Sequence, residues 1–119
     1  MAKIIIVDDS RILRKILYTT LTEAGHEILG EASNGEELLQ LLKEVTPDLI
    51  TLDITMPVMD GIEALKQIKI SYPNIKVVMV SAAGQKDKVM ESLKCGASDF
   101  LQKPFEPEDV KRVVAKLVV

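Results

Sequence analysis

The sequence is poor in the features that mark specialised protein classes. It holds one cysteine, Cys95, so no internal disulfide can form, which suits a reducing compartment. No apolar run approaches the ~20 residues needed to cross a bilayer. The opening run Ile4–Val7 follows Lys3 directly and is too short for the hydrophobic core of a signal peptide. A cytoplasmic location without membrane insertion is therefore expected. An excess of basic charge is also missing. The formal net charge is −3, which argues against direct nucleic-acid binding, because phosphate backbones select a basic footprint. No linker, low-complexity stretch or solenoid repeat interrupts the chain.

What is present fits one globular domain over residues 1–119: 47% of the chain is apolar and 28% charged. A chain of this length buries roughly two-thirds of its unfolded surface and can fold alone.

Short apolar runs alternate with segments of helical period. Strands are expected at Ile4–Val7, Glu27–Ala32, Leu49–Leu52, Ile75–Val80 and Ser98–Gln102. Helices are expected at Arg11–Ala24, Gly35–Val45, Gly61–Ser71, Gln85–Cys95 and Pro107–Leu117. In the first helix Ile12, Leu13, Ile16, Leu17 and Leu21 form one stripe, with Ser10 as N-cap and Gly25 as the stop. Five βα units imply an α/β protein, a parallel sheet with helices on both faces. The first, third and fourth strands are almost purely apolar and belong in the centre. The second carries Gly30 and Glu31, the fifth Asp99 and Gln102, so these two belong at the edges. The order 2-1-3-4-5, already known for flavodoxin-like doubly wound sheets and adopted here on that basis, meets this requirement. Ligands of such sheets bind beyond the carboxyl ends of the strands, between strands 1 and 3.

Those carboxyl ends carry the chemistry. Asp8 and Asp9 end strand 1, and Asp53 ends strand 3. Two carboxylates ~5 Å apart repel by roughly 3 kcal/mol at an effective dielectric of 20. A hard divalent cation relieves that repulsion, and Mg²⁺ is suited to a site with few carboxylates and several waters. Ser81 and Lys103 end strands 4 and 5 on the same side, so a hydroxyl donor and an ammonium join the acids. Together they make a receptor for a phosphoryl group, with one carboxylate as nucleophile. Asp53 is the expected nucleophile, because the neighbours Asp8 and Asp9 are better placed to grip metal together. Any one strand-end Asp could simply cap a helix or open a turn. Five polar residues at four strand ends on one side of the sheet are not explained that way.

With these residues in hand, the chain resembles the receiver domain of two-component response regulators. The resemblance rests on Ile6-Val7-Asp8-Asp9-Ser10, Leu52-Asp53-Ile54-Thr55-Met56-Pro57, Met59-Asp60-Gly61, Val80-Ser81-Ala82 and Lys103-Pro104-Phe105. It implies Asp53 as phosphoacceptor, and Asp9, Asp53 and the Thr55 backbone carbonyl as Mg²⁺ ligands, with Asp8 acting through water. It also implies Ser81 and Lys103 as phosphate partners, a cis Lys103–Pro104 peptide, and a switch in which Ser81 moves toward the phosphate while Phe100 turns inward. The implied output surface is the fourth helix, fifth strand and fifth helix, with Lys86, Val89, Phe100, Gln102 and Arg112 as candidates. The implied partners are a sensor histidine kinase and a downstream effector. Asp53-Ile54-Thr55-Met56-Pro57 and Ser81-Ala82-Ala83-Gly84-Gln85 are similar to stand-alone chemotaxis receivers of the CheY type, whose effector is a flagellar motor switch component. The expectation is a monomeric, non-enzymatic switch that catalyses only its own phosphorylation and slow dephosphorylation. The alternative is the receiver of a transcriptional or other regulator.

Two other readings fit less well. A metal-dependent aspartyl phosphatase would have a second Asp at position 55, where Thr stands. A flavin binder would need a hydroxyl- and glycine-rich loop after strand 1, where Asp8-Asp9 would repel phosphate. His26 is expected in a turn at the far end of the sheet. Cys95, Met56, Met59, Met79 and Met90 are expected in packing and loops.

Overall fold

The computed structural model describes residues 1–118. Its elements are β1 (Lys3–Val7), α1 (Arg11–Glu23), β2 (Glu27–Ala32), α2 (Gly35–Leu41), β3 (Leu49–Asp53), α3 (Gly61–Ser71), β4 (Lys76–Ser81), α4 (Lys86–Lys94), β5 (Asp99–Gln102) and α5 (Pro107–Leu117). All strand pairings are parallel and the order is β2-β1-β3-β4-β5, the order known for doubly wound sheets, with the apolar β1, β3 and β4 in the centre.

The alternation of side chains along each strand divides the core in two. Ile5, Val7, Ile50, Leu52, Val77 and Met79 point to the side covered by α2, α3 and α4. Ile4, Ile6, Leu49, Val78 and Leu101 point to the side covered by α1 and α5. Ile4, Ile5 and Ile6 are all fully buried, so β1 is enclosed on both faces. Each such side chain contributes roughly 1.5–3 kcal/mol of burial.

The helix ends follow local chemistry. Ser10 Oγ accepts the Leu13 N–H, Asn34 Oδ1 the Glu37 N–H and Asp60 Oδ1 the Glu63 N–H, so α1, α2 and α3 each begin at a side-chain cap. Gly25 and Gly96 follow α1 and α4 at positive φ, as expected of helix stops.

One helix end departs from expectation by several residues and one strand register is irregular, while the other element ends fall within one residue of the expected positions. α2 ends at Leu41 instead of Val45. The chain there tightens into turns in which the Lys43 and Glu44 N–H groups donate three residues back, to Gln40 and Leu41. That tightening lets Val45 pack against the core before Pro47. The β1–β2 register slips between Ile4 and Ile5, which pair with Ile28 and Gly30 and leave Leu29 as the extra residue. Gly30 therefore marks a bulge as well as an edge.

Candidate functional site

The same alternation decides which strand-end residues meet. Asp8 continues the Ile4–Ile6 series, Asp53 the Leu49–Thr51 series and Lys103 the Leu101 series, so all three emerge on the α1/α5 side. Ser81 continues Val77 and Met79, and Phe100 and Gln102 alternate with Leu101, so these three lie on the α4 side.

The geometry agrees. Asp8, Asp9 and Asp53 each place a carboxylate oxygen within 4.8 Å of the others. Lys103 Nζ lies 3.3 Å from Asp8 Oδ2 and 3.4 Å from Asp53 Oδ2. Asp8 and Asp53 are buried, and Asp9 is exposed at the mouth. Asp8 Oδ1 accepts the Ser10 N–H at 2.8 Å, and the Asp8 carbonyl accepts from Arg14 Nη1 at 2.6 Å. Asp8 Oδ2, although buried, has no hydrogen-bond partner, because the Lys103 ammonium is near but off line. Asp53 Oδ1 accepts the Thr55 N–H at 3.4 Å.

One ammonium does not balance three carboxylates. Burial first, and the Asp8 charge second, push the Asp53 carboxyl up to about 6, against the opposing pull of Lys103 and the Thr55 N–H. An all-oxygen donor set, uncompensated negative charge and an orphaned buried oxygen fit a hard divalent cation.

Gly61 holds the loop after β3 tightly. Its N–H donates to the Ile54 carbonyl at 2.7 Å, and a Cβ there would overlap the Asp53 carbonyl oxygen. In the same loop Val58 has φ +67, a left-handed conformation costly for a β-branched residue, and it spans a turn in which the Met59 N–H donates to the Pro57 carbonyl.

Ser81 is at its expected strand end, but its hydroxyl donates to the Leu101 carbonyl at 3.4 Å and not into the acidic cluster. It lines a groove of about 390 Å³ together with Lys86, Val89, Met90, Phe100 and Gln102. Phe100 is outward, 39% exposed. Four of the five expected partner-surface residues thus share this groove. Arg112 does not line it; it lies on α5 and pairs with Asp109 at 3.0 Å. Met90, expected in packing, is instead half exposed at the groove, because α4 turns that position toward solvent. The Lys103–Pro104 peptide is cis. His26 is more than a turn residue: its Nδ1 accepts the Ala2 N–H at 3.0 Å.

Sequence reasoning missed Gln85 and Arg14. The basic opening of α1 was the available signal for Arg14. For Gln85 there was none, since its partner Thr55 is 30 residues away.

Residues 4–115 match the model of the response regulator receiver domain. This chain belongs to that family. The receiver domain is 45% identical to the chemotaxis protein CheY of Thermotoga maritima, with 97% of this chain and 96% of CheY covered. Its fold matches the CheX–CheY–BeF3–Mg²⁺ complex of Borrelia burgdorferi at TM-score 0.93 and 38% identity, covering 98% of this chain and 89% of that one. It also matches NtrX of Brucella abortus at TM-score 0.94 and 30% identity, where it covers 98% of itself but spans only 26% of that longer chain. A receiver domain is a signalling switch and not an enzyme acting on external substrates.

Proposed function

We propose that residues 1–119 form one receiver domain that takes a phosphoryl group on Asp53 from a phosphohistidine of a sensor histidine kinase and changes its affinity for an effector protein. The observation that carries this reading is the crowded carboxylate of Asp53: buried, beside Asp8 and Asp9, with one ammonium 3.4 Å away.

In the forward step an Asp53 carboxylate oxygen attacks phosphorus. The P–N bond breaks, its electron pair returns to the imidazole, and the imidazole takes up a proton. Water later cleaves the acyl phosphate to restore the carboxylate and release inorganic phosphate. Lys103 offsets the charge gathered on the phosphoryl oxygens, and Ser81 donates to them once its hydroxyl turns from Leu101. Asp8 and Asp9, with Asp53 and the Thr55 carbonyl, would hold Mg²⁺, which supplies charge neutralisation to the transferring group. The chain catalyses only its own phosphorylation and slow dephosphorylation.

Phosphorylation replaces the single charge of the Asp53 carboxylate with a phosphoryl dianion, a net gain of about one negative charge together with three acceptor oxygens. Ser81 lines the same groove as Phe100, so its rotation toward the phosphate opens space for Phe100 to turn inward. The output face is then α4, β5 and α5, with Lys86, Val89, Phe100, Gln102 and Arg112. Similarity to CheY over nearly the whole chain favours a cytoplasmic, monomeric chemotaxis receiver acting on a flagellar motor switch component. The match to a quarter of NtrX supports the second reading, the receiver of a transcriptional or other regulator.

The test is labelling by acetyl phosphate with Mg²⁺. Wild type incorporates phosphate and Asp53→Asn incorporates none; equal labelling of the two would reject Asp53 as acceptor.

A further inference from the structure

Four loops surround the acidic cluster, and one side chain ties two of them together. Gln85 precedes α4 in the N-cap position but caps nothing, unlike Ser10, Asn34 and Asp60 before α1, α2 and α3. Its amide is used elsewhere. Gln85 Oε1 accepts the Ala82 N–H at 2.7 Å, and Gln85 Nε2 donates to Thr55 Oγ1 at 2.7 Å. Gly84, at φ +84, turns the chain back so that the side chain can reach Ala82.

Both ends of this strap touch the proposed site. Thr55 is the residue whose N–H holds Asp53 Oδ1. Ala82 follows Ser81 at the carboxyl end of β4, the strand paired with β3 up to Asp53. A backbone N–H at that place is the kind of donor that stabilises a phosphoryl oxygen. Here it is already satisfied by Gln85. The strap also fixes the start of α4, whose next residues, Lys86 and Val89, line the Phe100 groove.

We infer that Gln85 is a latch of the unmodified receiver: its amide occupies the Ala82 N–H and the Thr55 hydroxyl, and it must release them when a phosphoryl group arrives on Asp53. This rests on the reading of Asp53 as phosphoacceptor. A contact made in one state only biases the equilibrium toward that state. The latch therefore opposes both phosphoryl binding and the rearrangement of α4, and it acts through position and not through chemistry on the reacting atoms.

The test uses the full chain with beryllium fluoride and Mg²⁺ as a phosphoryl stand-in, titrated by NMR, with amide exchange at Ala82 measured in the unliganded protein. Gln85→Met keeps the length of the side chain and removes both hydrogen bonds. It should lower the half-saturating concentration roughly five-fold, the factor for about 1 kcal/mol of net hydrogen bonding, and speed exchange at Ala82. Gln85→Ala should act in the same direction. Thr55→Val should do so more weakly and add nothing to Gln85→Met. Unchanged or weaker binding in both Gln85 variants, with folding intact, overturns the latch. If wild type does not bind the probe, or Asp53→Asn binds it equally, the acceptor reading itself fails and the latch with it.

Discussion

The two ends of the sheet are built on opposite terms. At the amino-terminal end polar groups meet partners at short range. The Lys3 N–H donates to Asp48 Oδ2 at 2.8 Å, the Ala2 N–H to His26 Nδ1 at 3.0 Å, and Lys69 Nζ to the Ile75 carbonyl at 2.7 Å. At the carboxyl end Asp8, Asp9 and Asp53 crowd together around Lys103, and Asp8 Oδ2 is buried beside the ammonium without a hydrogen bond. The nearby loop keeps Val58 left-handed. One end holds the fold; the other keeps crowded carboxylates and a left-handed valine in place.

The sharpest way to break this contrast is Gly61→Ala. The new methyl would overlap the Asp53 carbonyl, so stability in urea should fall by about 3 kcal/mol or more, and acetyl-phosphate labelling should fall with it. Retained stability would mean that the loop is not held as described.

Next is Asp53→Asn without divalent cations. The folded-state pKa of Asp53, about 6, lies above its ordinary value of 3.8, so the folded protein favours the protonated acid. Ionisation then costs stability as pH rises above about 4, and the full penalty is present above about 6. The variant should be more stable than wild type by on the order of 2–3 kcal/mol at pH 7.5 and equal to it near pH 3.5. Mg²⁺ should narrow the gap by binding only folded wild type. Equal stability at pH 7.5 in EDTA would refute the crowded-carboxylate account.

Smaller effects sharpen the comparison. Val58→Gly should stabilise by about 1 kcal/mol, since the exposed valine is left-handed and packs little. Asp48→Ala should destabilise by about 1 kcal/mol and leave labelling unchanged, because the lost bond to Lys3 is at the far end. The smallest effect concerns His26, whose pKa is lowered first by partial burial and then by the N-terminus. Its contribution is present above the ordinary histidine value and is lost as pH falls through it. Between pH 7.5 and 5 the stability of wild type relative to His26→Gln should fall slightly, since both proteins share the Asp53 effect and only wild type has the imidazole.

Much of this was legible in advance. The unbroken apolarity of Ile4–Val7 and Val77–Val80 marked central strands, and Gly30, Glu31, Asp99 and Gln102 marked edges. Those patterns depend on burial, which acts on each segment by itself. The strand-end positions of Asp8, Asp9, Asp53, Ser81 and Lys103 followed from the same segmentation. Strand parity also separates Ser81 and Phe100 from the acids, but only once the sheet shows which face each helix covers.

The sequence by itself determined the alternation of elements, the central and edge strands, and the identity of the acids at the strand ends, because these follow from periodicity over a few residues. Tertiary structure decided that Lys103 stands between Asp8 and Asp53, that Ser81 faces Phe100, and that Gln85 reaches Thr55. Such contacts join residues far apart in the chain, from Ser81 and Phe100 to Lys103 and Asp8. No local pattern encodes them, since they exist only after the strands have paired in register and the loops have been brought to one edge.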